Sequence, residues 1–462
     1  MHEPQGVARI RVLRWPEVSI PALLTGVRDR LSTAAATTPD RFRLARNMLV
    51  ISLLLTGTAA AVSAEVASQS TRDIADRIEP ISDGATTLYR SLAEADATFT
   101  SGFLTGDVES APTRTCYDST QPQACYDLNI SHATTSLVAT GAQASDEAAT
   151  ADPINDITTL LPVYTGLVKQ AKANNRQGLP TGANYLQRAS DLMQSTMLPA
   201  AEAVQVRQAA QLDRTYVIAS AVPLPAILFG VALLVMLGGV QWYLFRMTNR
   251  VFNLGVLVAT GAVLLGGLWW AVAGIVASDH LEQSRAHIQS VTDALGPAQI
   301  AALQARAAES LSLITRDGDT RDADFRAQIQ LLARNDGEGG ALGAARALAP
   351  DREAIKYVEN ALHHMRAYRE THKKVRNLND EGDYTAAVES AVSPDLGSSA
   401  STFAKLDGML TTAVDSGRRS FSEQIEQAKV WRTGLTIGIA LLTLVAVVSA
   451  SWGINQRLKE YR

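Results

Sequence analysis

Cysteine is nearly absent. The 462 residues hold two, Cys116 and Cys125, within TRTCYDSTQPQACYD. Two thiols fall short of the four ligands of a structural zinc site. The eight residues between them do not fit the two-residue gap of a redox pair. Histidine is scarce as well: His2, His132, His280, His287, His363, His364 and His372, with no HExxH and no pair four residues apart. No metal is expected. No Walker loop, no GxGxxG after a strand and no GxSxG occurs, and NDGEGGALG reads as a flexible loop. Carboxylates are plentiful but mark no recognisable cleft. Strand-like alternation is scarce. The chain therefore reads as all-α, as no enzyme, and as needing no cofactor.

Charge is missing from long stretches. Tyr216–Phe245, Val251–Ala277 and Thr433–Trp452 carry none, and Met48–Val66 carries only Glu65 at its end. Runs of about 18 or more apolar residues are long enough to cross a bilayer as helices. None shows the polar face of a soluble helix. Tyr216, Trp242, Tyr243, Trp269, Trp270, Trp431 and Trp452 stand near their ends, as interfacial aromatics do. The first run follows 47 residues, too long a leader for a signal peptide, and is expected to stay as an anchor. Absence of charge inside the runs also argues against an ion or solute pathway. Gly-rich GVALLVMLGG and GAVLLGGLWW suit close helix packing instead.

Lys and Arg set the orientation. Eight Arg lie in residues 1–46, Arg246 and Arg250 lie in the loop RMTNR, and Arg457, Lys459 and Arg462 lie in the tail. Segment 67–215 holds 10 basic and 17 acidic residues, and 278–430 holds 18 and 23. The expected order is a cytoplasmic arm 1–46, span 47–66, outside segment 67–215, span 216–245, loop 246–250, span 251–277, outside segment 278–430, span 431–454 and tail 455–462. Both termini then face the cytoplasm of a cell (plasma) membrane. The basic side faces anionic lipid, and no nucleic acid is expected.

Both outside segments read as helical. Leu88, Leu92, Ala95, Phe99 and Phe103 share one helix face, with Pro80 a bend upstream. The first helix then runs from Met48 to about Leu104, roughly 85 Å at 1.5 Å per residue. Helices near 123–147 and 153–175 follow, then the turn NNRQGLPTGAN and a helix from about Ala183. In the second half TRDGDTRDAD and RNDGEGGALG read as breaks. Pro350 opens a helix through HHMRAYRETHKKVR, whose basic face reads as solvated, and Leu406, Leu410, Val414 and Phe421 share a face of the last helix. The implied fold is an all-α membrane protein with four transmembrane helices and two extracytoplasmic antiparallel helical bundles. A duplication is legible in plan only; the best internal match pairs AEADATFTSGFLTGD with ARAAESLSLITRDGD. On this topology Cys116 and Cys125 lie outside, where disulfides persist. They are expected to staple a loop whose TQPQ cannot be helical, worth roughly 2.5–3 kcal/mol.

Several stretches carry a resemblance: LPVYTGLVKQAKANNRQGLPTGANYLQRASDLMQSTMLPAA at Leu161–Ala201, AEADATFTSGFLTGDVES, YDLNI, GDYTAAV and SSASTFAKLDGML. The chain resembles the actinobacterial GlnX-type membrane proteins across both outside segments and all four spans. It departs from their pattern in the cysteine loop and at Lys169, where an acid is expected. The resemblance implies two protein partners: an extracytoplasmic lipoprotein that binds glutamine or glutamate, and cytoplasmic Ser/Thr protein kinase G. The chain would then relay amino-acid availability from the one to the other, with nitrogen metabolism as the target. A homodimer is a further candidate. Tyr164, Asn174, Asn175, Arg176 and Gln177 are the candidate partner contacts; against that, Asn and Gly suit a plain turn there and Arg176 a helix end. A direct small-ligand sensor and a scaffold without a switch fit the same architecture.

Overall fold

The computed structural model describes residues 38–104, 122–144, 148–220, 223–248, 253–316, 318–334 and 337–460. Among them the chain is helical, and the only β pairing is one isolated bridge between Arg334 and Gly339. The helices are α1 (Thr38–Asp73), α2 (Glu79–Leu104), α3 (Pro122–Ala144), α4 (Ala148–Arg176), α5 (Thr181–Leu192), α6 (Leu198–Ala219) and α7 (Leu224–Thr248). The second half adds α8 (Leu254–Ser290), α9 (Gly296–Thr315), α10 (Gly318–Leu332), α11 (Gly340–Leu348), α12 (Arg352–Asp380), α13 (Tyr384–Val392), α14 (Ser399–Arg432) and α15 (Leu435–Glu460).

Three π-helical turns join consecutive helices: π1 (Ile74–Ile78), π2 (Met193–Met197) and π3 (Val291–Leu295). Each is followed, two residues on, by a proline: Pro80, Pro199 and Pro297. A proline ring collides with the carbonyl four residues earlier and offers no N–H to it. Those carbonyls belong to Asp76, Ser195 and Asp293, the middle residue of each turn. Widening the turn relieves the collision without ending the helix. Pro80 thus marks a π-turn rather than a simple bend, and helix is unbroken from Thr38 to Leu104 and from Leu254 to Thr315. Pro162, inside α4, has no such turn.

The chain forms two compact units. One takes the described chain up to Ser63, then Pro223–Ala271, then from Gly434 onward; the other takes Ala64–Val222 and Val272–Thr433. In the first unit Leu49, Leu53, Leu233, Leu237, Val256, Ala259 and Ala446 form a small buried seam. Its outward residues are apolar too: Leu228 is 69% exposed, Val235 71% and Leu264 53%. An exposed apolar belt of this kind suits lipid rather than water. Four helical runs are long and apolar enough to cross a membrane. Close helix crossings occur at Gly255 and Gly453, where a Cβ on Gly255 would collide with the Ser449 carbonyl oxygen. The glycine-rich stretches singled out in the sequence behave otherwise: Gly230, Gly238, Gly239, Gly261 and Gly267 face open space, and only Gly266 meets a neighbour, Leu442.

In the second unit the two expected bundles are one body. A single core runs from Leu88, Leu92, Phe99 and Phe103 through Tyr164, Leu186 and Met193 to Leu303, Phe325, Tyr368, Phe403 and Leu410. The reason is α2 and α9: both are small-residue-rich and buried around most of their circumference, so each half closes against the other. A further buried layer joins Ile74, Leu212, Tyr216, Leu281, Phe421 and Ile425. Tyr216, taken from sequence as interfacial, lies in this layer and shares a 2.7 Å hydrogen bond with Ser284.

Three local expectations need correction. α3 begins at Pro122, inside TQPQ, because proline fits the first helical turn, where no backbone N–H is needed. Among the described residues of TRDGDTRDAD the break falls at Arg316, the one non-glycine residue described with positive φ (56°), and α10 is helical from Gly318. The disulfide is the third. No disulfide is found among the described residues: Cys116 lies outside them, and Cys125, not a free thiol, is 2% exposed. Its burial follows from its place in the first turns of α3, beside buried Tyr126.

Candidate functional site

The second unit buries carboxylates in its core, which costs free energy unless they are hydrogen-bonded or paired. Asp96, 3% exposed on α2, is one. It accepts hydrogen bonds from Ser190 Oγ at 2.7 Å, Gln194 Nε2 at 3.4 Å and Tyr164 Oη at 3.4 Å. These donors come from α4, α5 and π2, and all are neutral. Burial therefore pushes the Asp96 carboxyl up to about 6, against the three hydrogen bonds, and neighbouring Asp191 adds to the rise.

Glu309 on α9 is its counterpart. Arg306 Nη1 donates to it at 2.6 Å, Tyr368 Oη at 3.3 Å, and Ser399 Oγ lies 2.7 and 2.8 Å from its two oxygens. His372 Nδ1 stands 2.9 Å from Glu309 and its Nε2 3.1 Å from Asp322, with the ring stacked 3.4 Å from Phe325. Burial alone would raise this carboxyl. The His372 hydrogen bond, the Arg306 charge and the Ser399 hydroxyl outweigh burial and hold it at about 2.

The two nodes share a plan. Each has a carboxylate on the buried helix α2 or α9, a tyrosine from the long helix α4 or α12, and a serine from α5 or α14. An aromatic from α3 or α10 packs on each tyrosine: Tyr126 at 6.4 Å from Tyr164, Phe325 at 5.6 Å from Tyr368. They differ in charge: the Arg306 guanidinium joins the Glu309 node, whereas the donors to Asp96 are all neutral. Between them Ser101 and Ser310 share a 3.1 Å hydrogen bond from α2 to α9. A third cluster lies on the same seam. Arg90 pairs with Glu94 at 3.2 Å and reaches Thr411 at 3.3 Å, beside Asp407, whose Oδ1 is buried without a partner. Burial and Glu94 raise the Asp407 carboxyl, against the pull of Arg90 and Gln299.

The sequence-derived contact residues separate into inside and outside. Tyr164 is fully buried on Asp96, so it is no surface contact in this conformation. Asn174 builds the turn: its carbonyl accepts from Gln177 N and Leu179 N, and its side chain meets Thr181 at 2.9 Å. Asn175 Nδ2 ties the turn to the end of α2 through the Phe103 carbonyl at 3.3 Å. Arg176 and Gln177 are exposed. The stretch read as a solvated basic face also hides an inward side, with Met365, Tyr368 and His372 buried. Sequence reasoning missed Asp96 and Glu309, although an acid set within the stripe Leu92–Phe99 is itself a sign of a buried charge. The internal match that was found runs one residue out of step, placing Asp96 against Ala308.

Nothing in this arrangement activates a nucleophile, and among the described residues no group of His, Cys, Asp or Glu is placed to hold a metal. Polar nodes that each join three helices are suited to fixing one helix packing against another. Residues 70–217 match the actinobacterial sensor domain. That match starts before π1 and covers the whole Asp96 node, and its description names a sensor rather than a catalyst. No curated protein and no solved structure matches the chain. The chain thus carries a sensor-domain match over residues 70–217 together with four helical runs long and apolar enough to cross a membrane.

Proposed function

We propose that the chain is a non-enzymatic transmembrane transducer. It relays extracellular glutamate, glutamine or aspartate availability from a binding lipoprotein to a cytoplasmic Ser/Thr protein kinase. The sensor-domain match in a chain with four candidate spans carries this reading. The resemblance of Leu161–Ala201 to GlnX-type proteins, which falls inside the matched segment, supports the partners. The basic ends supply the orientation, with both termini in the cytoplasm and the sensor unit outside. Exposed Arg176 and Gln177 are the proposed lipoprotein contact. Unbroken helix from Thr38 to Leu104 and from Leu254 to Thr315 gives two runs that hold span and sensor sequence in one element. A ligand-biased shift of such elements is a recognised way to carry a signal.

The test is a strain lacking this chain. Extracellular glutamate should no longer alter phosphorylation of the kinase's substrate; an unchanged response would sink the relay. A direct small-ligand sensor is the second reading, favoured by a groove in the sensor unit.

A further inference from the structure

The sensor unit has an open groove of about 420 Å³ between α6 and the segment formed by α8 and π3, closed at one side by Tyr89 of α2. Its two walls come from different halves of the chain. The polar groups that line it are mismatched. Gln205 is 5% exposed, yet its Nε2 donor has no partner. Arg285 pairs with Asp213 through Nη2, but its Nε is buried and unpartnered as well. Two residues that line the groove thus each hold a buried donor with no partner, and an acceptor that reached them would lift the desolvation cost of leaving a buried donor unmet. The remaining charges have the opposite sign. Glu202, Asp213 and Asp293 line the groove against the single guanidinium of Arg285. Asp293 sits in π3, where Thr292 donates to it at 3.0 Å, and π-turns are frequent at functional sites.

A simple anion would satisfy the donors but meet three carboxylates. A simple cation would leave both donors unmet. We infer that this groove binds a compact zwitterion, its carboxylate on Gln205 and Arg285 and its ammonium on Glu202 and Asp293. Val206 and Ile288 supply apolar contact for a short alkyl skeleton. Such a ligand would tie α6 to α8, so occupancy would act directly on the two halves of the sensor unit. The inference stands apart from the relay, since it needs neither the lipoprotein nor the kinase.

The experiment uses the purified full chain in lipid nanodiscs with no other protein. Calorimetry is run with the common α-amino acids as probes, and with acetate and methylammonium as single-charge controls. At least one amino acid should bind saturably and more tightly than either control. Gln205→Leu should weaken it by about tenfold or more, and Glu202→Gln, at an exposed position, by a similar factor. Absence of saturable amino-acid binding would overturn the assignment. So would controls that bind as tightly as the amino acids, or wild-type affinity in both variants.

Discussion

Neutralising the two buried carboxylates should have opposite consequences, although the nodes share a plan. Glu309→Gln keeps the side-chain shape but removes the charge that Arg306 holds at 2.6 Å in a buried site. Breaking a buried pair from one side costs about 3–5 kcal/mol. Asp96→Asn removes a charge that has only neutral donors around it. The Asp96 carboxyl, raised by burial from an ordinary 3.8 to about 6, binds its proton more tightly folded than unfolded. Its ionisation penalty is therefore absent below pH ~4, grows as pH rises through ~6, and is complete above that. At 1.36 kcal/mol per pH unit the full penalty is about 3 kcal/mol. Asn keeps an acceptor for Ser190 and carries no such penalty. Asp96→Asn should thus match or exceed wild-type stability at pH 7.5 and lose that advantage near pH 4.5. The measurement is thermal unfolding of the full chain in one detergent, followed by near-UV circular dichroism at both pH values. Equal losses for the two variants at pH 7.5 would refute the contrast between a paired and an unpaired buried carboxylate, as would a pH-independent difference between Asp96→Asn and wild type.

Other outcomes follow from the same geometry. Glu309, held at about 2 against an ordinary 4.5, contributes stability above pH ~4.5 that is lost as pH falls towards 2; acid unfolding of Glu309→Gln should lack that part of the transition. Arg432, 6% exposed, donates to the Ala67 carbonyl at 2.6 Å and the Ala219 carbonyl at 3.0 Å, so Arg432→Met should cost about 1.5–3 kcal/mol in the same unfolding assay. In the membrane unit Gly255→Ala should cost about 1–3 kcal/mol by overpacking against Ser449, whereas Gly239→Ala, facing open space, should be neutral or stabilising. A comparison of detergent-resistance midpoints reads this difference directly.

Long-range helical order was legible because it rests on period and punctuation. Leu88, Leu92, Ala95, Phe99 and Phe103 share a face by spacing, and all are buried. Asp351 caps α12 directly after Pro350, which marks that helix start in the sequence, and Asp383 and Ser398 cap α13 and α14. Union of the halves was not legible, because the same small-residue stripe on α2 or α9 serves equally to close a bundle or to meet a second one. The nodes were hidden for a related reason. Tyr164 and Ser190 lie 68 and 94 residues from Asp96, and nothing in local pattern connects them. His372 shows how a basic run misleads: its charged neighbours describe the helix's outer side, while its own position follows Val358, Leu362, Met365 and Tyr368 inward.

The π-turns have a consequence for how the sequence can change. Each holds one residue more than an α-turn would at almost the same rise, so it offsets the helix faces before and after it by about 100°. Such a turn is a store of register. Removing one residue from Met193–Met197, together with Pro199→Ala to lift the collision, would convert the turn to ordinary α-helix and leave α6 in phase with its neighbours. The same single-residue loss inside α2 would swing Phe99 and Phe103 out of the core. Loss of one residue should therefore be tolerated at each of these three points when the proline that follows is lost with it, which gives the sequence a place to absorb a change of length without repacking the core.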